Sequence, residues 1–143
     1  MTPVLRSLSV LLLLATSGSA MAEGHHAVVP LDKVAWEQDD DVKCLSSALE
    51  TGDPATGPST IILKAPPNCV VRWHYHTARE ELIVAKGTTH TEMEGVPATR
   101  LGPGGYAVMA GKQKHQFTCV SATECILFVT FDAKYDIFWV KEK

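Results

Sequence analysis

From Ser59 onward the chain runs in short segments of apolar and alternating residues, each cut off by glycine, proline or asparagine. Thr60 to Leu63 is stopped by Pro66-Pro67-Asn68, and Cys69 to His76 follows. Glu80 to Ala85 is closed by Gly87, and Thr88 to Met93 comes next. The sharp turn Gly102-Pro103-Gly104-Gly105 leads into Tyr106 to Met109. His115 to Val120 and Cys125 to Phe131 read as a hairpin, and Ile137 to Val140 as a last strand. Many short strands with glycine and proline turns at this spacing predict an all-β sandwich or barrel over 59–143. Residues 23–58 read as an arm with a first strand or strands, in which Trp36 packs on the domain and Asp39-Asp40-Asp41 forms a solvated turn. Gly52-Asp53-Pro54 and Gly57-Pro58 act as breakers, and only Val42 to Leu49 offers a helical period.

The first 22 residues carry a different pattern. Arg6 precedes an apolar run from Leu8 to Ala15, then small residues ending Ala20-Met21-Ala22. This is the order of a secretory signal peptide with cleavage after Ala22, and it places the mature chain in the periplasm or outside the cell. The run is shorter than the ~20 apolar residues that span a bilayer, so no stable membrane insertion is expected. The whole chain has 143 residues and a formal charge of −3. Without Arg6, 12 Lys and Arg face 16 Asp and Glu, a formal −4. That balance argues against nucleic acid as a partner, which calls for a basic face.

Export gives the four cysteines a meaning. In an oxidising compartment they favour disulfides. Cys119 and Cys125 flank the hairpin turn, which makes a cross-strand bridge plausible and leaves Cys44 to pair with Cys69. Free thiols or metal ligation remain the alternatives, although no CxxC pair is present.

The candidate chemistry sits in His74-Tyr75-His76-Thr77-Ala78-Arg79-Glu80. Alternate residues of a strand share a face, so His74 and His76 project together. A second strand carrying Glu80 brings a carboxylate to the same point, and a third carrying His115 adds another imidazole. Spacing alone leaves Glu81 as the alternative to Glu80. Three imidazoles and one carboxylate suit Fe, Mn, Ni, Zn, Co or Cu as a divalent ion. Arg72 shares the parity of His74 and His76 and is a candidate for the pocket mouth, with a solvated or interface position as the alternative. His90, Tyr106 and Phe117 are further substrate-pocket candidates; the alternatives are a residue supporting a ligand or a surface residue for His90, and core packing for Tyr106 and Phe117. His25-His26 reads as an exposed tail.

These residues resemble the cupin family over about Thr60 to Val140. The first cupin motif is glycine, five residues, HxH, three or four residues, glutamate, six residues, glycine. His74, His76, Glu80 and Gly87 fit it, with Asn68 in place of the opening glycine. The second motif is glycine, five residues, PxG, two residues, histidine, then three residues and asparagine. Gly104 and His115 fit it, while Ala110, Lys112 and Cys119 stand at the proline, second glycine and asparagine positions. The resemblance implies a double-stranded β-helix, or jelly-roll, barrel with a metal held by His74, His76, Glu80 and His115. It also implies dioxygenase-type oxidoreductase chemistry on a small chelating organic substrate. Alternatives are a metal-dependent isomerase or lyase, and a non-catalytic module that binds or senses a metal or small ligand. No general base stands out beyond Glu80 itself and His90. Cupins commonly pair, so a homodimer is expected, with Tyr135, Phe138 and Trp139 either covering a partner or closing the barrel's own core.

Overall fold

Alternation becomes geometry most clearly in the strand Glu80–Lys86. Glu80, Leu82 and Val84 are buried there, while Ile83 and Ala85 are exposed. The computed structural model describes residues 26–141, so the signal peptide expected over 1–22 and His25 lie outside the described residues. Within them run β1 (Glu37–Gln38), β2 (Ser46–Gly52), β3 (Ser59–Ala65), β4 (Val70–Tyr75), β5 (Glu80–Lys86) and β6 (Thr89–Met93). They are followed by β7 (Val96–Leu101), β8 (Tyr106–Met109), β9 (His115–Cys119), β10 (Cys125–Phe131) and β11 (Phe138–Trp139). One short 3-10 turn, Leu31–Lys33, precedes them. Among the described residues no helix is long and apolar enough to cross a membrane.

The strands form two antiparallel sheets, one in the order β1-β2-β3-β10-β5-β8 and one in the order β11-β4-β9-β6-β7. Their inner faces share one core, in which Leu63, Leu82, Val84, Leu127 and Val129 meet Val71 and Phe117. This is the all-β jelly-roll barrel that the sequence resemblance implies. Each well-buried aliphatic or aromatic side chain in such a core contributes roughly 1.5–3 kcal/mol.

Three features depart from the expected pattern. Val42–Leu49 is not helical. It turns through the Leu45 N–H to Val42 carbonyl bond and enters β2, which pairs with β3 from Ser46↔Lys64 to Gly52↔Ser59. The ladder offered by β3 overrides a weak helical period. It also makes β2 part of the same sheet as the strands beyond Ser59. Second, Val96–Leu101 is a strand that the pattern concealed, because it is an edge strand exposed along nearly its whole length. Third, β4 carries a bulge. Its register with β9 passes from Val71↔Phe117 to His74↔His115, three steps against two. The extra residue breaks the parity between Arg72 and His74, so His74 is buried and Arg72 exposed.

Two disulfides fix the connections: Cys44–Cys69 and Cys119–Cys125. The C-terminal aromatic residues close the barrel's own wall. Trp139 and Tyr135 pack against the core, and Phe138 stacks on Tyr75 at 5.1 Å between ring centroids.

Candidate metal centre

The four positions that resemble cupin glycines share one backbone conformation. Asn68 (φ 64°), Gly87 (φ 80°), Gly104 (φ 83°) and Lys112 (φ 67°) all lie in the left-handed region. The departures from glycine at 68 and 112 therefore keep the turn geometry and carry its steric cost. The Lys112 turn bears directly on the site, since its N–H donates to the His76 carbonyl at 2.7 Å.

His74, His76, Glu80 and His115 come from β4, the loop just after it, β5 and β9, and all four are buried. One donor atom of each lies within 4.8 Å of every other. Glu80 faces inward and Glu81 outward, where Glu81 pairs with Arg79.

All three imidazoles are oriented in the same way. Nδ1 of His74 donates to the Arg72 carbonyl at 2.6 Å, and Nδ1 of His115 to the Gln113 carbonyl at 2.8 Å. Nδ1 of His76 donates to the Asp136 carbonyl. A backbone acceptor on Nδ1 fixes the proton there and leaves the Nε2 lone pair free to ligate. His115 Nε2 stands 3.1 Å and His76 Nε2 3.2 Å from Glu80 Oε2. Even so, Glu80 Oε2 and His115 Nε2 are buried without an aligned hydrogen bond. The Nε2 atoms of His76 and His115 thus face a carboxylate oxygen in a buried interior, an arrangement that costs free energy until a cation, whether a metal ion or a proton, sits between them. Ligands about 2.1 Å from a shared ion lie roughly 3–4 Å apart, and the two Glu80–imidazole separations, 3.1 and 3.2 Å, fall in that range.

The electrostatics agree with a cation-binding set. Burial, with the neighbouring His115, pushes His74 down to about 4 and so keeps its imidazole neutral. Burial opposes charge on Glu80, but His115 and His76 outweigh it and hold the carboxyl at about 2. Burial also opposes charge on His76, yet the Glu80 carboxylate and the Asp136 carbonyl outweigh it and raise its pKa.

The ChrR cupin-like domain family matches residues 24–134. The chain belongs to that family. No curated protein sequence matches it. Among solved structures this cupin is similar to the polyketide cyclase RemF from Streptomyces resistomycificus, at 17% identity and a TM-score of 0.70 over 83% of this chain and 88% of that one. It is also similar to an RmlC-like cupin from Shewanella frigidimarina, at 17% identity and a TM-score of 0.65 over 80% and 95%. The structure of Rhodobacter sphaeroides SigE in complex with the anti-sigma ChrR matches at 21% identity and a TM-score of 0.59, over 72% of this chain. This cupin spans 51% of the chain matched there, and 52% of the DMSP lyase DddQ from Ruegeria pomeroyi, which it resembles at 18% identity and a TM-score of 0.61 over 68% of its own length.

Beside the donors of this cupin lies a cavity of about 40 Å³, walled by Val71, Phe117, Val129 and Phe131. It has room for an ion and a water or two. Of the four pocket candidates only Phe117 lines it. Arg72 is exposed, with its guanidinium 5.2 Å from the Trp139 ring. His90 points to the outer side of β6, because Thr89 and Thr91 take the buried parity, and lies 3.9 Å from Glu92. Tyr106 is 70% exposed and sits by a separate groove between β7 and β8. The bulge explains Arg72, and strand parity explains His90.

The sequence places Tyr135 in the wall of the barrel or against a partner but gives no sign of the strap of contacts that Asp136 makes beside the site. Asp136 supplies its carbonyl to His76 while its carboxylate accepts the Thr77 N–H at 2.7 Å and the Thr77 hydroxyl. Tyr135 packs on His76 at 5.4 Å and donates its hydroxyl to Asp41 Oδ2 at 3.1 Å. Burial, with the Asp41 charge and hydrogen bond, raises the Tyr135 pKa and keeps the phenol protonated. Nothing local in Lys134-Tyr135-Asp136 announces a contact 60 residues away.

Proposed function

We propose that this cupin holds a divalent transition metal through His74, His76, Glu80 and His115 and acts on a small organic ligand that chelates the ion through two oxygens. The observation that carries this is the buried, unmatched pair Glu80 Oε2 and His115 Nε2, set among imidazoles whose Nδ1 protons are all committed to backbone carbonyls. Fe, Mn, Ni, Zn, Co and Cu all suit the donors.

The bound ion would supply Lewis acidity and, if redox-active, reactivity toward O₂. The protein supplies the rest. Backbone carbonyls orient the rings, Phe117 and Phe131 line the cavity with apolar surface, and Glu80 supplies the one carboxylate among the four donors. We take dioxygenase-type oxidation as the first reaction class, with isomerisation or lysis of a chelated substrate as the alternative. DddQ is a lyase and RemF a cyclase, so the fold is compatible with non-oxidative chemistry.

A second reading is a non-catalytic sensing or binding module. It is favoured by the small cavity and by membership of a family described by ChrR, an anti-sigma protein. Two disulfides and the signal-like segment support a place outside the cytosol. Pairing of two copies is supported by the outer face of the six-stranded sheet, where the register lines up Phe128, Ile83 and Tyr106 in one exposed row.

The test is metal analysis of untagged protein purified from its native compartment, followed by oxygen uptake over a panel of dicarbonyl, phenolic and carboxylic substrates. Bound metal with turnover that disappears in His74→Ala and His76→Ala supports the enzyme. Bound metal with tight ligand binding and no turnover supports the sensor. Protein that is ion-free and takes up no ion on titration overturns both. Light scattering reads the dimer, and a monomeric mass removes it.

A further inference from the structure

A second groove opens next to the metal cavity, and its rim is acidic. Glu37, Asp39, Asp40 and Asp41 line it, with Ser59 and Tyr135 deeper inside. Its volume is about 280 Å³, and it shares Asp39, Ile61, Phe131 and Tyr135 with the wall of the metal cavity. No lysine or arginine lines it among the described residues.

An acidic turn by itself is a solvated feature. What singles this one out is Ser59. The residue is 3% exposed, and its hydroxyl is buried with no hydrogen-bond partner. Ser59 shares the inward parity of Ile61 and Leu63 on β3, so its side chain lies on the groove side of the strand. An unpaired buried hydroxyl costs free energy that a ligand donor recovers. The Asp39–Asp41 turn is held in place, because Asp39 Oδ1 accepts the N–H groups of Asp41 and Val42 at 3.0 and 2.8 Å. Asp41 is further tied to Tyr135. The carboxylates of Asp39 and Asp41 therefore keep their positions without a ligand.

We propose that this groove receives the ammonium end of a small ligand whose oxygen end reaches the metal centre. The inference rests on the metal reading above and gives it a substrate class: short amino-carboxylates or similar amine-bearing chelators. An ammonium group offers three donors, and the groove offers a serine acceptor and carboxylates. Ile61, Phe131 and the Tyr135 ring provide an apolar wall for the connecting carbons. A hydrated metal ion in transit would gain nothing from that wall.

The test uses the zinc-loaded mature protein and titration calorimetry. β-Alanine and 4-aminobutyrate are compared with propionate and butyrate, which lack the ammonium. The ammonium compounds are expected to bind about tenfold tighter, the scale of one charge-assisted hydrogen bond. The double variant Asp40→Asn/Asp41→Asn is expected to erase that preference. Ser59→Ala is expected to reduce it, and keeps the question answerable if the aspartate pair disturbs the turn. Equal affinities in the native protein, a preference that survives both variants, or no binding of any probe to zinc-replete protein overturns the inference. Slower zinc loading in the aspartate variant with an unchanged ligand preference also overturns it, and makes the groove an ion entry path instead. Zinc content measured on every sample separates the two failures. Ion-free protein overturns the metal reading, whereas zinc-replete protein without preference overturns the groove alone.

Discussion

The imidazole of His76 is held by the backbone carbonyl of Asp136, a residue 60 positions further along the chain. The same residue clamps Thr77 through both carboxylate oxygens. One proposed ligand is therefore oriented by a segment that is itself clamped beside the site, and losing the clamp should loosen that imidazole. Asp136→Ala keeps the carbonyl but removes the clamp. We expect about 1 kcal/mol lower stability and metal affinity weakened by roughly tenfold. Chelator competition on the purified variant measures this, and an unchanged affinity would separate the strap from the site.

Glu80 and Glu81 are adjacent in sequence and opposite in role. Glu80→Gln should weaken metal binding more than about a hundredfold, because it removes the one anionic donor at the centre. Glu81→Gln removes only a half-exposed partner of Arg79 and should leave affinity within about twofold. Equilibrium dialysis against a metal buffer distinguishes the pair, and equal losses in both would contradict the observed strand parity.

The turn before His115 makes two opposite demands on neighbouring residues. Lys112 holds a left-handed backbone that glycine adopts freely. Lys112→Gly should raise stability by about 0.5–1 kcal/mol, the steric relief being partly offset by a more flexible unfolded chain. At Gly111 an added Cβ would meet the Thr77 carbonyl oxygen at 2.5 Å, and that backbone follows His76 directly. Gly111→Ala should therefore cost about 2 kcal/mol and weaken metal binding. Denaturant midpoints read both changes, and a stable Gly111→Ala protein with full affinity would show that the turn can move.

The pH dependence of the metal-free protein follows from the direction of each shift. His74, lowered from 6.5 to about 4, contributes stability that is full above 6.5 and is lost as pH falls toward 4. Glu80, lowered from 4.5 to about 2, contributes stability present above 4.5 and lost between 4.5 and 2. His76, raised above 6.5, works in the opposite sense, and its contribution fades as pH rises through its folded value. Thermal stability should therefore decline on acidification below 6.5, and decline more steeply below 4.5. A melting temperature flat from pH 7 to 4 would contradict the neutral, desolvated His74.

Bound metal should shift the whole profile upward, since protons compete for the same nitrogens. The same melts repeated with saturating zinc check it, and superimposable curves would count against ligation by these residues.

Much of this was readable along the chain because its causes are local. Period-two patterning places Glu80, Leu82 and Val84 on one face, and His115, Phe117 and Cys119 on another, and the fold keeps both sets buried. The spacing of His74, His76, Glu80 and His115 carries the cupin resemblance, and backbone sterics explain why Asn68 can stand for glycine. Other features depend on contacts that no short window contains. The bulge between Val71 and His74 turned Arg72 outward, the pairing of β2 with β3 overruled a helical period, and the Asp136 strap and the Ser59 groove were assembled from distant segments. Alternation and turn sterics act between near neighbours and are written in the order of residues. Register, closure and the joining of separate strands around a common point depend on long-range pairing, whose free energy exists only once the sheets have met.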